Sequence, residues 1–143
     1  MNLQDPISSI MSTAVKTLAP EDKLQRVKEV FDDHAIHHIP ILKEEELVGI
    51  LSKLDYLYFL KPIHPDSQEQ YLNDIRLKNY TVDEVMTKRV ISVSSTDMIQ
   101  TALEVLSENL FHAIPIVDND KLVGIITTHD IIFRLLHPKR MLA

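Results

Sequence analysis

HHIPILKEEELVGILSKLD at residues 37–55 and HAIPIVDNDKLVGIITTHD at residues 112–130 are two copies of one pattern. Each opens on a histidine (His37, His112) and runs into Ile-Pro-Ile. Each then crosses a polar stretch and enters Leu-Val-Gly-Ile. Each ends on an aspartate three residues after a hydroxyl: Ser52 and Asp55, Thr127 and Asp130. Working outward, a shift of 75 residues lays positions 7–60 over 82–135 without a gap, and 16 of the 54 pairs are identical. Met11 meets Met86, and the only two glycines, Gly49 and Gly124, coincide. Matching over such a length marks a tandem duplication.

Both copies read alike. A short extended segment comes first, at residues 15–18 or 90–93. A boundary at Pro20, or at Ser94-Ser95-Thr96, then suits a helix start, with Asp22 and Asp97 expected in the first turn at the positive end of the helix dipole. Helical spacing is clear for Ile99, Ala102, Leu103, Leu106 and Leu110, and the first copy has Leu24, Val27, Val30 and Phe31. Two strands follow, at residues 39–42 and 47–51 or 114–117 and 122–126. A four-residue polar turn joins them, and a closing helix starts near Lys53 or Thr128. The unit is β-α-β-β-α. One such unit buries too little apolar surface to be comfortably stable alone, whereas two packed together do. The expected organisation is therefore a repeat at 7–60, a linker at 61–81 with Pro62, Pro65 and room for a short helix, and a repeat at 82–136. The fold class is α/β, a pseudo-two-fold pair with facing sheets and Gly49 and Gly124 at equivalent backbone positions.

Composition narrows the function. The 143 residues are 45% hydrophobic and 25% charged, ordinary for a globular protein. There is no cysteine, hence no disulfide framework, thiolate nucleophile or cysteine zinc site. No uncharged apolar run approaches the roughly 18 residues of a membrane span. The opening MNLQDPISS has no basic region or apolar stretch of a secretory signal, so the expected compartment is the cytoplasm. The net charge of −6 falls on residues 1–75, while residues 76–143 balance with 8 acidic and 8 basic groups. A net-acidic chain is a poor partner for nucleic acid. No P-loop, GxGxxG, GxSxG or HExxH occurs, so neither catalysis nor a metal site is expected.

The repeated h-P-h, polar turn, L-V-G-I and Ser/Thr-x-x-Asp, with Ile10-Met11-Ser12 and Val85-Met86-Thr87 as openings, resembles the CBS domain pair, or Bateman module. The resemblance covers roughly residues 7–136. The turns lack the glycine many members carry there. The resemblance implies a regulatory module that senses an adenosine-containing ligand (AMP, ADP, ATP or S-adenosylmethionine), biases a partner protein and associates as a homodimer. No enzyme, channel or transporter domain accompanies it in the chain, and no cofactor is required. The alternative is a structural dimerisation module with empty clefts. A metal-dependent hydrolase using the histidines is the weakest reading.

The resemblance also nominates site residues, each with a plainer reading beside it. Asp55 and Asp130 hold ribose hydroxyls, with Ser52 and Thr127 facing the same ligand; the plainer reading is helix capping. His37 and His112 reach phosphates, or are simply exposed histidines at a strand edge. Lys16 and Arg89, with Lys88 beside it, grip phosphate or stay solvated. Ile39, Ile114, Val15 and Val90 line the apolar part, although the isoleucines are core residues in any reading. Ser94 adds a hydroxyl, whereas Ala19 stands where the family often has one. In the family each cleft draws on both repeats, so Asp130 is expected to look across to Ala19-Pro20 and residues 37–39. Asp55 is expected to look across to Ser94-Ser95 and residues 112–114. Neither cleft is complete by the family pattern, which implies weak binding or one occupied cleft. The closing segments, residues 56–60 and 131–133, carry more apolar sides than one core contact uses, so a symmetric helix-to-helix interface is expected.

Overall fold

The structure is a computed structural model and describes residues 1–60, 67–109 and 111–138. Five helices and two hairpins form among them: α1 (Leu24–Asp33), β1 (His38–Lys43), β2 (Glu46–Ser52), α2 (Lys53–Leu60), α3 (Ser67–Asn79), α4 (Ile99–Asn109), β3 (Ala113–Asp118), β4 (Lys121–Thr127) and α5 (Thr128–Leu136). Short 3-10 turns sit at Ile7–Ser9 and Val82–Glu84. The duplicated β-β-α order is as the sequence predicts, and the linker carries a full helix, α3. Pro62, Pro65 and Leu110 lie outside the described residues.

The compact units do not coincide with the sequence repeats. One is Lys16–Val90; the other joins Met1–Val15 to Ile91–Ala143. Thus the start of each repeat is built into the unit that holds the other repeat's hairpin. In the Lys16–Val90 unit the apolar face of α1, Leu24, Val27 and Phe31, packs with Ile39, Ile41, Leu51, Tyr56 and Val82. In the other unit Ile7 and Ile10 join Ile99, Ala102, Leu106, Ile114, Ile116, Ile126 and Ile131. Each fully buried side chain of this size contributes about 1.5–3 kcal/mol.

The hairpins share one geometry. β1 pairs antiparallel with β2 and β3 with β4, with register shifts at Ile41/Leu42 and Ile116/Val117. Each turn is two residues, not four: Lys43 pairs with Glu46 and Asp118 with Lys121. Closing a hairpin so tightly puts both turn residues at positive φ, as a type I′ turn requires. Asn119 (49°) and Asp120 (65°) tolerate this; Glu44 (50°) and Glu45 (72°) are there without the short side chain that eases it. The expected first strand is in each case a single parallel bridge, Leu18 to Ile41 and Val93 to Ile116.

Gly49 and Gly124 both have negative φ, so conformational freedom does not explain them. Close approach does. A Cβ on Gly49 would lie 2.5 Å from Met86 Sδ and 3.0 Å from the Thr87 carbonyl oxygen; on Gly124, 2.8 Å from both Met11 Sδ and the Ser12 oxygen. The paired Met11 and Met86 are thus the partners of the paired glycines. Asp22 and Asp97 are a correction: the helices start later, at Leu24 and Ile99, with no acidic residue in the first turn. Instead each carboxylate accepts the N–H three residues back, from Ala19 (2.7 Å) or Ser94 (2.8 Å), closing the turn ahead of the helix.

Candidate functional site

The residues predicted for a site divide between the two units. Lys16, His37, Ile39, Ser52, Asp55, Arg89 and Val90 belong to one; Val15, Ser94, His112, Ile114, Thr127 and Asp130 belong to the other. Within each unit the hairpin gathers three of them at one end. The carbonyl of His37 accepts from the N–H of Lys53 (2.8 Å), and β1 pairs His38 with Ser52. The carbonyl of His112 accepts from Thr128 (3.0 Å), and β3 pairs Ala113 with Thr127. A histidine, a hydroxyl and an aspartate therefore stand together where the last strand enters the closing helix. That helix start also carries a partial positive charge.

The two ends differ in detail. Thr127 caps α5: its hydroxyl oxygen accepts from the Asp130 N–H (3.1 Å), and Asp130 Oδ2 accepts from the Thr127 N–H (2.9 Å), a reciprocal capping box. Asp130 is half-buried, and its Oδ1 accepts no hydrogen bond among the described residues. At the other end Ser52 accepts from the Asp55 N–H (3.0 Å), but the return bond is not made, and the Asp55 carboxylate is exposed. Capping is thus realised for both motifs, fully in one.

Ile39 and Ile114 are fully buried within their cores; Val15 and Val90 are half-buried. His37, His112, Lys16 and Arg89 are exposed. Lys88 reaches Asp83 on the surface (3.7 Å). Ser94 follows the Val93 bridge to β3, toward the turn of the hairpin. Its hydroxyl donates to Asp118 Oδ1 (2.9 Å), which also accepts from the Ser95 N–H (3.0 Å), while the Ser95 hydroxyl donates to Oδ2. These bonds, the Ser95 hydroxyl first, hold the Asp118 carboxyl below its ordinary range. Asp118 escaped the sequence reading because its counterpart is Lys43, so the repeat gave no signal. No group of three or more His, Cys, Asp or Glu side chains among the described residues is gathered to hold a metal. None of the described helices is long and apolar enough to cross a membrane.

Two α/β units with duplicated helix-entry sites define the class. The CBS domain family pattern matches residues 7–62 and 82–137, and the chain belongs to that family. It is similar to inosine-5'-monophosphate dehydrogenase of Thermoplasma acidophilum, 31% identical over 131 residues, which cover 91% of this chain and 24% of that protein. The chain spans between 22% and 45% of the length of the first four curated relatives it matches. Among solved structures it resembles the CBS domain of a CBS domain-containing membrane protein from Sphaerobacter thermophilus, with TM-score 0.76 and 25% identity, covering 91% of this chain and 87% of that one. It also resembles the CBS domain pair of protein MJ0100 in complex with 5'-methylthioadenosine and S-adenosyl-L-methionine, with TM-score 0.74 and 25% identity, covering 92% and 98%.

Proposed function

We propose that this chain is a non-catalytic regulatory module that binds an adenosine-containing ligand, AMP, ADP, ATP or S-adenosylmethionine, and passes the occupancy to a partner protein. The observation that carries this reading is Asp130. The capping box fixes one carboxylate oxygen on the Thr127 N–H, and the other accepts no hydrogen bond among the described residues, so the carboxylate is held in place before any ligand arrives. Vicinal ribose hydroxyls are donors that suit such an acceptor. The MJ0100 pair, solved with two adenosine derivatives, supports the ligand class. Asp55 with Ser52 is the second, less prepared acceptor. His37, His112, Lys16 and Arg89 would meet a phosphate or other polar tail; Ser94 reaches a ligand only by leaving Asp118. Val15 and Val90 have apolar surface to offer an adenine ring, whereas Ile39 and Ile114 support it from the core. A cytoplasmic site of action belongs to the same reading.

A thermal-shift panel of AMP, ADP, ATP, GTP and S-adenosylmethionine tests it. A true ligand raises the midpoint progressively with concentration, the stabilisation reaching about 2.7 kcal/mol at a hundred times Kd. Calorimetric titration then compares wild type with Asp130→Asn, which keeps a capping oxygen but loses the charge. Loss of a charge-assisted bond costs about 1.5–3 kcal/mol, roughly ten- to a hundredfold in affinity. Equal binding by Asp130→Asn overturns the assignment; a loss confined to Asp55→Asn moves it to the other motif.

A second reading, a homodimerisation module without nucleotide, is favoured by the closing helices. Leu54, Leu57 and Tyr58 on α2 and Ile132, Leu135 and Leu136 on α5 are exposed. Apolar faces of this kind mark association surfaces. Both readings share a homodimer, so light scattering that gives 16.4 kDa at every concentration removes that element.

A further inference from the structure

Residues 3–12 lie in a seat, held by backbone bonds to residues between 95 and 125. Gln100 N–H donates to the Leu3 carbonyl (2.9 Å), Ile99 N–H to Asp5 (2.9 Å), Ile7 N–H to Asp97 (2.8 Å) and Ser8 N–H to Ser95 (3.0 Å). Ser12 and Ile125 exchange both backbone bonds at 2.9 Å. Ile7 and Ile10 are buried in the core of that unit, and Gly124 leaves the room that Met11 and the Ser12 carbonyl occupy. We propose that this seat recognises the pattern Ile-x-x-Ile-Met-Ser in its 3-10 turn, and that a second copy of this chain supplies it by exchange.

Three observations carry the proposal. The recognition is made by main-chain bonds and two isoleucines, none of which depends on the segment belonging to the same chain. The other unit holds residues 82–87 by matching contacts: Val82 N–H to the Asp22 carbonyl (2.8 Å), Asp83 N–H to Pro20 (2.9 Å), and both bonds between Thr87 and Ile50. Such a seat therefore takes a segment that arrives from a remote part of the sequence. The tether is also slight. Thr13 and Ala14 are exposed, lie outside regular structure, and lead directly to Lys16 in the other unit. Exchange replaces every contact with its identical counterpart, which makes it a low-cost route to association.

The absence of cysteine gives a clean background for trapping. Pro6 and Met98 face each other across an antiparallel bridge and are both exposed. Their bridge is flanked by the Ile7–Asp97 and Ile99–Asp5 bonds, the narrow kind of pair with Cα atoms about 4.5 Å apart, within disulfide reach. A Pro6→Cys chain and a Met98→Cys chain are unfolded together, refolded at rising concentration and oxidised. The expected product is a mixed disulfide of twice the chain mass, at least tenfold more abundant than either homodisulfide and growing with concentration. Ser12→Cys paired with Ile125→Cys repeats the test at the glycine end with the same expected result. The double variant Pro6→Cys/Met98→Cys, in one chain, reports whether the seat forms and the bridge can close. If it closes its own disulfide while the separate chains give no mixed product, or give all three disulfides in random proportion, the exchange does not occur.

Discussion

The Lys16–Val90 unit and its counterpart built on residues 91–138 share a scaffold and differ at its ends. Both keep the glycine, the methionine that fills the space above it, and the Ile-Pro-Ile strand. At the glycines the methionine and a carbonyl oxygen leave no room for a side chain. The ends are free to diverge. One unit has a completed Thr127/Asp130 box, an Asn119-Asp120 turn and the Ser94-Ser95-Asp118 cluster. The other has a half-made Ser52/Asp55 cap, a Glu44-Glu45 turn, and Ala19, Pro20 and Lys43 where the cluster would be. Duplication preserved what the fold needs sterically and released what only one copy uses electrostatically.

The largest test of that contrast is steric. Gly124→Val and Gly49→Val should each cost about 1–3 kcal/mol in chemical denaturation, the range for forcing extra atoms into a packed space. Gly124 should be the worse, because its fixed carbonyl neighbour stands closer, at 2.8 Å against 3.0 Å; the reverse order would break the reasoning. Next is the turn. Replacing Glu44-Glu45 by Asn-Gly should stabilise the protein by about 1–2 kcal/mol, since left-handed backbone costs an ordinary residue roughly that much. The same change at Asn119-Asp120 should gain less. Third, Thr127→Ala should cost about 1 kcal/mol, the usual value of an N-cap, and Ser52→Ala less. The smallest effect is in the pH dependence. The Asp118 carboxyl is held below its ordinary value, so its contribution is present above about pH 4 and is lost as pH falls through the lowered value. Asp118→Asn should flatten the acid limb of the stability curve. Burial, with Asp32 adding to it, pushes the Tyr56 phenol up to about 12, so its contribution holds below about pH 10 and fades as pH climbs toward 12. Tyr56→Phe should remove that alkaline limb, and the other unit has Ile131 at this place.

Much of this architecture is written in the periodicity. The buried faces of α1 and α4, the hairpins and the closing helices follow from apolar spacing, and all four strands extend the predicted ones by one residue at each end. The pairing of Asp130 with Thr127 is visible in the Ser/Thr-x-x-Asp spacing. What the sequence could not reveal is which copy of the opening segment packs against which hairpin. A repeat alignment establishes that residues 7–12 and 82–87 are equivalent, and it assigns neither of them to a hairpin. The turn length was hidden because Glu44-Glu45 carries none of the residues that favour left-handed backbone. Asp118 was hidden for the opposite reason to the aspartates of the helix starts: its partners Ser94 and Ser95 are close in space but more than twenty positions away in sequence.

The split between repeats and units sets an order of events during synthesis. The Lys16–Val90 unit is contiguous, so every one of its core residues has been made once Val90 has been added. The other unit draws on both sides of that stretch, with Ile7 and Ile10 ahead of Lys16 and the residues from Ile99 to Ile131 after Val90. Ile7 and Ile10 are apolar side chains that must wait while more than a hundred residues follow them, roughly 5–20 seconds or more at ordinary translation rates. During that interval the nascent chain carries one closed unit and, ahead of it, an apolar segment whose core partners are not yet made. Chaperone contact during synthesis would fall on that segment.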